Sequence, residues 1–270
     1  MEETMVKENK MGVLPVNKLL VTMSLPMMIS MLVQALYNIV DSIFVAKIEE
    51  KALTAVSLAF PIQTLMIAVG VGTAVGINAL LSRFLGEKEF EKADCVAKNG
   101  IFLAFISYLL FLLIGIFGVG IFYTSQTSDT VIINYGMEYL TIICVASLGI
   151  FMQSTFEKLL QSTGKTFYAM ITQGTGAIIN IILDPILIFG YFGMPKMGVA
   201  GAAVATVIGQ CTAAVMAIIM NIRVNTEIHV GMKGFKPSGS VIRQIYIIGV
   251  PSIVMQAIGS VMTYGMNRIL

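Results

Sequence analysis

Charged side chains are scarce in this sequence of 270 residues. Asp, Glu, Lys and Arg together make up 12% of it, whereas hydrophobic residues make up 57%. The charged share is roughly half of the ~25% that is typical of soluble domains. The few charges also cluster in short stretches between long uncharged runs. The composition therefore argues against a soluble enzyme, a nucleic-acid-binding protein and a disordered chain, and it indicates a membrane protein with several spans.

Residues that commonly hold metals or form disulfides are also few. The three cysteines, Cys95, Cys144 and Cys211, show no CxxC spacing, and the single histidine, His229, lies in a polar connection. Neither a disulfide framework nor a zinc site is indicated. The HExxH and GxSxG motifs of membrane-embedded hydrolases are absent, and we expect neither enzymatic activity nor a resident cofactor.

Seven long apolar runs are present, and each is long enough for a helix that crosses a bilayer, which requires about 20 apolar residues. The alternating pattern of barrel strands is absent, so the expected fold class is an all-α membrane protein. The predicted spans are Leu19–Ala46, Leu53–Leu81, Val96–Tyr123, Tyr139–Leu160, Phe167–Phe192, Val199–Asn221 and Val241–Leu270.

The distribution of Lys and Arg predicts the orientation of these spans. Thirteen of them fall in the N-terminal segment and the even-numbered connections, including Lys158 and Lys165 after the fourth span, and three fall on the other side. Positive charge accumulates on the cytoplasmic side of membrane proteins. We therefore expect a multi-pass protein of the cell membrane with its N-terminus inside.

The first and seventh spans resemble each other. Each has a small residue, an aliphatic residue and a proline near its start, which places Pro26 and Pro251 at equivalent positions. Six spans separate the two prolines, so the repeats run in the same direction. We predict a six-helix lobe at 1–222, a cytoplasmic connection at 223–240 and the first helix of a truncated second lobe at 241–270.

Only two acidic side chains lie well inside the predicted spans, Asp41 and Asp184. A charge at the bilayer centre costs roughly 2.5–3.5 kcal/mol, so such residues normally face a cavity or a partner. The alternative is that both lie near helix ends and are solvated. Polar residues at helical spacing accompany them, as Gln34, Tyr37, Asn38 and Asp41 in the first span, Gln173, Asn180 and Asp184 in the fifth, and Thr206 and Gln210 in the sixth.

Three helices with polar stripes can enclose one wet pocket that binds a proton, or Na⁺ if several oxygens converge. Small residues at a spacing of four, Gly72 and Gly76 in the second span and Gly201, Ala205 and Gly209 in the sixth, indicate close contacts between helices.

Three segments resemble the MATE (multidrug and toxic compound extrusion) family of transporters, in particular its bacterial branch with MepA- and DinF-like proteins. They are residues 25–45, which contain Pro26, Tyr37, Asn38 and Asp41, then 180–185 with Asn180 and Asp184, and 197–206. The resemblance implies a twelve-helix, two-lobe antiporter that exports organic cations in exchange for H⁺ or Na⁺, of which nearly all of the second lobe is missing here.

The resemblance also implies roles for individual residues. Asp41, Asn180, Asp184 and Thr206 are expected to form the ion site, and Pro26 is expected to be a hinge. Gln34, Tyr37, Asn38, Gln173 and Gln210 are expected to line the substrate cavity. The expected partners are small organic cations, the lipid bilayer and the missing second lobe, and no nucleic acid.

Two other functions remain open. A lipid-linked saccharide flippase of the same superfamily would need basic residues in its cleft for a pyrophosphate, and the predicted spans hold almost none away from their ends. A seven-span receptor fits the helix count, but the distribution of positive charge places the N-terminus on the opposite side.

Overall fold

The computed structural model describes residues 10–232 and 234–269, and within these ranges it contains helices and no strand. Residues 1–9, Lys233 and Leu270, which belong to the predicted domain ranges and charge pattern, lie outside the described residues. After one helical turn at Lys10–Val13, eight helices follow: α1 (Val16–Ala46), α2 (Glu50–Gly86), α3 (Phe90–Gln126), α4 (Thr130–Val145), α5 (Leu148–Ser162), α6 (Thr166–Phe189), α7 (Val199–Val224) and α8 (Gly239–Ile269).

The described helices confirm an all-α membrane protein. Six of them are each long and apolar enough to cross a bilayer, and α4 and α5 together make a seventh candidate span that is bent by 45°. The predicted fourth span, Tyr139–Leu160, was wrong in its start and its continuity. The side chain of Asp129 accepts a hydrogen bond from the backbone of Val131 and begins α4 at Thr130. The helix then breaks at Ala146, inside an apolar run where hydropathy gives no signal.

Other predicted boundaries also differ from the structure, such as those of the second span, which was predicted as Leu53–Leu81 and is Glu50–Gly86. The third span, predicted as Val96–Tyr123, extends over the whole of α3 and contains a π-helical turn at Ile114–Gly118. The fifth span was predicted to reach Phe192, but α6 ends at Phe189 because Gly190 adopts a left-handed conformation with φ of 77°.

The connections between the helices lie on two opposite faces, which we call the first face and the second face. The first face carries the connections 47–49, 127–129 and 190–198. There, Lys51 Nζ lies 2.7 Å from Asp129 Oδ2. The hydrogen bond from Lys51 and the backbone N–H of Val131 hold the pKa of Asp129 below its usual range.

The second face carries the connections 87–89, 163–165 and 225–238. The last of these is fixed to α3 by hydrogen bonds. The backbone N–H of His229 donates to Asp94 Oδ1 over 2.7 Å, and that of Ser238 donates to Asn99 Oδ1 over 3.0 Å. α7 thus ends at Val224 and α8 begins at Gly239, while the predicted connection at 223–240 between two lobes stays a prediction.

Glycines bring two pairs of helices into backbone contact. In α6 and α7, a Cβ atom on Gly176 would lie 2.8 Å from the carbonyl oxygen of Gly209, and one on Gly209 would lie 2.7 Å from that of Gly176. In α8, a Cβ on Gly249 would lie 2.9 Å from the carbonyl oxygen of Gly72 in α2. The small-residue motifs therefore mark close helix contacts, as the sequence predicts.

We expect Gly201→Ala to lower the unfolding midpoint of the detergent-purified chain. The new methyl group would lie 2.6 Å from the carbonyl oxygen of Leu187, and backbone atoms cannot move aside as a side chain can. Overpacking of this kind costs about 1–3 kcal/mol. Gly174→Ala is the control, because its Cβ would meet nothing within 4 Å. Equal midpoints for the two variants would contradict the close α6–α7 contact.

Candidate functional site

A cavity of about 330 Å³ lies between α1, α2, α5, α6, α7 and α8. Six of the side chains that sequence analysis selected line it, and they come from three different helices. The polar stripes lie on separate spans of the sequence, so only the folded structure could show that they line the same cavity. The six are Gln34, Tyr37, Gln173, Asn180, Thr206 and Gln210.

Hydrogen bonds between side chains connect the three helices across this cavity. Gln173 Nε2 in α6 donates to Gln34 Oε1 in α1 over 3.0 Å. Further along α6, Asn180 Nδ2 donates to Thr206 Oγ1 in α7 over 3.3 Å and lies 3.4 Å from Asp184 Oδ1. Amide groups of α6 therefore fix both neighbouring helices.

Asp41 and Asp184 lie beside the lined space, near the ends of α1 and α6 at the first face. Asp184 is completely buried, and the two carboxylates are within electrostatic range of each other. Three buried oxygens of this group accept no hydrogen bond from any described residue, namely Asp41 Oδ1, Asn180 Oδ1 and Asp184 Oδ2. The complete burial of Asp184 argues against simple solvation at the helix end. Oxygens in such a state attract a proton or a small hard cation.

Asn38 does not join these residues. It lies in a separate shallow groove with Ser42 and several apolar side chains. Successive residues of a helix are rotated by about 100°, so Tyr37 and Asn38 point in well-separated directions. Gln34 and Tyr37 face the cavity, and Asn38 falls beyond its edge. Among the residues that the structure describes, Asn38 does not line this cavity, and its place in the substrate cavity stays a prediction.

A third acidic residue inside the spans was not predicted from the sequence. Glu157 in α5 is buried, with 8% of its surface exposed, and it lines the cavity together with Lys158. Two expectations were therefore wrong, that Asp41 and Asp184 are the only acids well inside the spans and that Lys158 belongs to a connection. Gln153, Glu157 and Gln161 follow each other at a spacing of four, which places them on one helical face. This spacing could have revealed that α5 contributes polar side chains to the cavity.

Hydrogen bonds hold the polar side chains of α5 in place. Gln153 Nε2 donates to Glu157 Oε1 over 3.0 Å, and Thr172 Oγ1 of α6 lies 3.5 Å from the same oxygen. Lys158 Nζ donates to Gln161 Oε1 over 2.7 Å. These groups lie near the second face, because α5 ends at Ser162.

The site thus has polar side chains near both faces of the bundle, and part of the cavity wall is apolar. In the part of the chain that the structure describes, no three His, Cys, Asp or Glu side chains cluster tightly enough to suggest a metal centre. The arrangement suits a reversibly bound small cation at Asp41 and Asp184 and a larger amphipathic molecule in the cavity. The apolar part of the wall consists of Met27, Met31, Ile67, Val71 and Ile150.

Comparisons with known proteins agree with this architecture. The MatE family model matches residues 26–186. The multidrug export protein MepA of Staphylococcus haemolyticus is 31% identical over 244 residues, which cover 88% of this chain and 52% of that protein. The chain therefore spans about half the length of the curated relatives that it matches.

Two solved structures share the fold closely. One is an outward-facing multidrug resistance MATE transporter of the MOP superfamily, with a TM-score of 0.82 and 29% identity, covering 88% of this chain and 52% of that one. The other, from Pyrococcus furiosus Vc1, is a MOP superfamily transporter described as having a binding pocket of reverse polarity that suggests a different function. Its TM-score is 0.78 with 28% identity, and the coverage is 88% and 52%.

We expect a short bifunctional methanethiosulfonate to cross-link the Gln34→Cys, Gln173→Cys double variant, because these side chains meet across the cavity. The three native cysteines are first replaced by alanine, and cleavage between the cysteines followed by gel electrophoresis detects the link. Asn38→Cys with Gln173→Cys is the matched control. Equal cross-linking of both pairs would show that α1 is rotated differently.

Proposed function

The chain belongs to the MatE family of multidrug export transporters, and from this premise we propose that it forms the first lobe of an antiporter that exports cationic lipophilic compounds in exchange for H⁺ or Na⁺. The observation that carries the proposal is the set of buried oxygens without hydrogen-bond partners at Asp41, Asn180 and Asp184. They adjoin a cavity with an apolar wall that is large enough for an organic molecule.

We assign the coupling ion to Asp41 and Asp184, with Asn180 and Thr206 as supporting polar groups. A proton needs one carboxylate oxygen, whereas Na⁺ needs several oxygens at once. The two carboxylates and the amide oxygen supply enough oxygen atoms for either a proton or Na⁺. The hydrogen bond from Asn180 to Thr206 orients the amide so that its oxygen remains available.

Exchange follows from competition for negative charge. When the carboxylates are empty they attract a cationic compound into the cavity, and when an ion neutralises them that attraction weakens. An ion that moves inward along the membrane potential gains about 2.3 kcal/mol per charge per 100 mV. Occupation by the ion on the outside therefore favours release of the compound there.

The same proposal gives α8 a role as the first helix of a second lobe, joined to the six-span lobe by the connection at 225–238. The length supports this, because the chain covers about half of its relatives. Pro26 is proposed as the hinge of α1. A proline lacks the N–H that would bind the carbonyl one turn earlier, and α1 continues through Pro26 as one helix. The backbone there is held by one hydrogen bond fewer.

A lipid-linked saccharide flippase is supported less well. Lys158 lines the cavity near the end of α5 and is a basic residue that could meet a phosphate there. However, a pyrophosphate carries several negative charges, and Glu157 beside Lys158 opposes its binding. The apolar part of the wall, together with the carboxylates of Asp41 and Asp184 beside the cavity, favours organic cations.

We expect ethidium to bind the purified chain in detergent and to be displaced when either the proton or the Na⁺ concentration rises. Fluorescence anisotropy titrations at fixed pH and at fixed Na⁺ identify the coupling ion. Asp41→Asn and Asp184→Asn should each reduce the ion-dependent change in dye affinity at least about tenfold, because an amide does not bind the ion as a carboxylate does.

Asp129→Asn is the control for these variants, because Asp129 pairs with Lys51 at the first face, away from the cavity. The proposed ion site would be wrong if Asp41→Asn and Asp184→Asn retained the wild-type displacement curve.

We expect the second face to be cytoplasmic, because the excess of Lys and Arg lies there. Alkaline phosphatase fused after Lys88 should be inactive, and the same enzyme fused after Ser128 should be active, since it folds only outside the cytoplasm. Green fluorescent protein at the same two positions gives the reciprocal control. The opposite pattern would reverse the proposed orientation.

A further inference from the structure

At the second face, the connection 225–238 is held against α3 just before α8 begins. The backbone N–H of Ser238 donates to Asn99 Oδ1 over 3.0 Å, and the ring centroids of Phe102 and Phe235 lie 5.9 Å apart. The first residue of α8 is Gly239. Residues 98–102 of α3 and 235–243 of the connection and α8 therefore meet on one surface, which we call the junction.

Three basic residues belong to the junction. Lys98 directly precedes Asn99, Lys236 directly follows Phe235, and Arg243 lies in the second turn of α8. Lys236 and Arg243 are exposed, and Lys98 is partly exposed. None of the three forms an ion pair with a described residue, whereas other cations of α2 and α3 at the second face pair with neighbouring carboxylates.

Acidic residues are almost absent from the sequence around the junction. Residues 95–128 and 228–270 contain no Asp or Glu. The nearest acid along α3 is Asp94, whose Oδ1 accepts the backbone N–H of His229 and whose Oδ2 lies 3.3 Å from Nδ1 of the same residue. The positive charge of the junction is therefore left for a negatively charged ligand.

Two of the basic residues stand at the ends of apolar stripes on the outside of the bundle. Phe105 follows Lys98 by seven positions in α3, and Val250 follows Arg243 by seven positions in α8. Seven positions are about two helical turns, so the residues of each pair share a face. Phe105 and Val250 are exposed, and further exposed apolar residues continue both stripes. The charged ends of the stripes are thus suited to the headgroup level of a bilayer.

We propose that the junction binds an anionic phospholipid of the leaflet that borders the second face, with Lys98, Lys236 and Arg243 contacting its phosphate. Ammonium and guanidinium groups form charge-assisted hydrogen bonds with phosphate oxygens. An acyl chain covers the apolar stripe that adjoins the charges, which a free phosphate cannot do. The inference is independent of the proposed transport cycle, because it uses only the charge and the exposed surface of the junction.

Native mass spectrometry of the purified chain with dioleoylphosphatidylglycerol or dioleoylphosphatidylcholine tests this proposal. The two lipids have the same acyl chains, and only the first carries a net negative charge. We expect the first molecule of phosphatidylglycerol to bind at least about tenfold more tightly than phosphatidylcholine, because each nearby Lys or Arg attracts an anionic headgroup. The Lys98→Gln, Arg243→Gln double variant should lose most of this preference, and the Lys98→Arg, Arg243→Lys variant should retain it.

The Lys88→Gln, Lys196→Gln double variant is the matched control, because it removes two exposed positive charges from the connections 87–89 and 190–198, outside the junction. An equal loss of preference in this control would show that net charge alone attracts the lipid, and the inference would be overturned. Equal binding of the two lipids to the wild-type chain would overturn it as well. Unfolding midpoints in a neutral detergent verify that all variants remain folded.

Two further outcomes would assign the junction to a different ligand and so overturn the proposal. One is displacement of phosphatidylglycerol by millimolar inorganic phosphate, which would mean that the junction takes a free anion. The other is a dimer of the chain that excludes the lipid and that Lys98→Gln, Arg243→Gln abolishes, which would mean that the junction contacts protein. With a lipid ligand, we expect neither displacement nor such a dimer.

Discussion

Polar side chains within a membrane span have to find partners inside the protein, and this constraint organises the bundle. The amides of α6 meet that requirement on both sides, through Gln34 in α1 and Thr206 in α7. The α6–α7 contact is possible because Gly176 and Gly209 bring the two backbones together. With larger residues there, Asn180 could not reach Thr206. The position of the polar site therefore depends on the close packing of the small residues in α6 and α7.

Much of this arrangement could be predicted from the sequence because hydropathy and helical spacing report on local geometry. The number of candidate spans and the stripes containing Asp41, Asn180 and Thr206 followed from spacing alone. The bend at Ala146 could not be predicted, because both sides of it are equally apolar. Glu157 was missed for a related reason, since a position near the end of a span can face either water or a cavity, and only the packing of α5 against α6 decides between them.

The cavity has two differently charged ends, and their separation has a physical meaning. Near the first face, carboxylate and amide oxygens are buried without partners, which suits a small ion. Near the second face, Glu157 and Lys158 have polar neighbours that position them, which suits recognition of a larger molecule. Thr172, which contacts Glu157, and Asp184 are twelve positions apart on α6, which is roughly 18 Å, so substitutions that alter recognition can leave the ion-binding groups undisturbed.

The backbone contact between α2 and α8 determines where the rest of a longer chain would lie. At Gly249, α8 touches the carbonyl of Gly72, and about 20 residues of helix extend beyond this point to Ile269. That length is roughly 30 Å of helix. Further contacts hold it against the lobe, because Ser260 Oγ donates to the carbonyl oxygen of Pro61 in α2 and the ring of Tyr264 packs on that of Phe122 in α3. The contact at Gly249 is thus the first of several that align α8 along its length, and together they set the direction in which a continuing chain would leave the bundle.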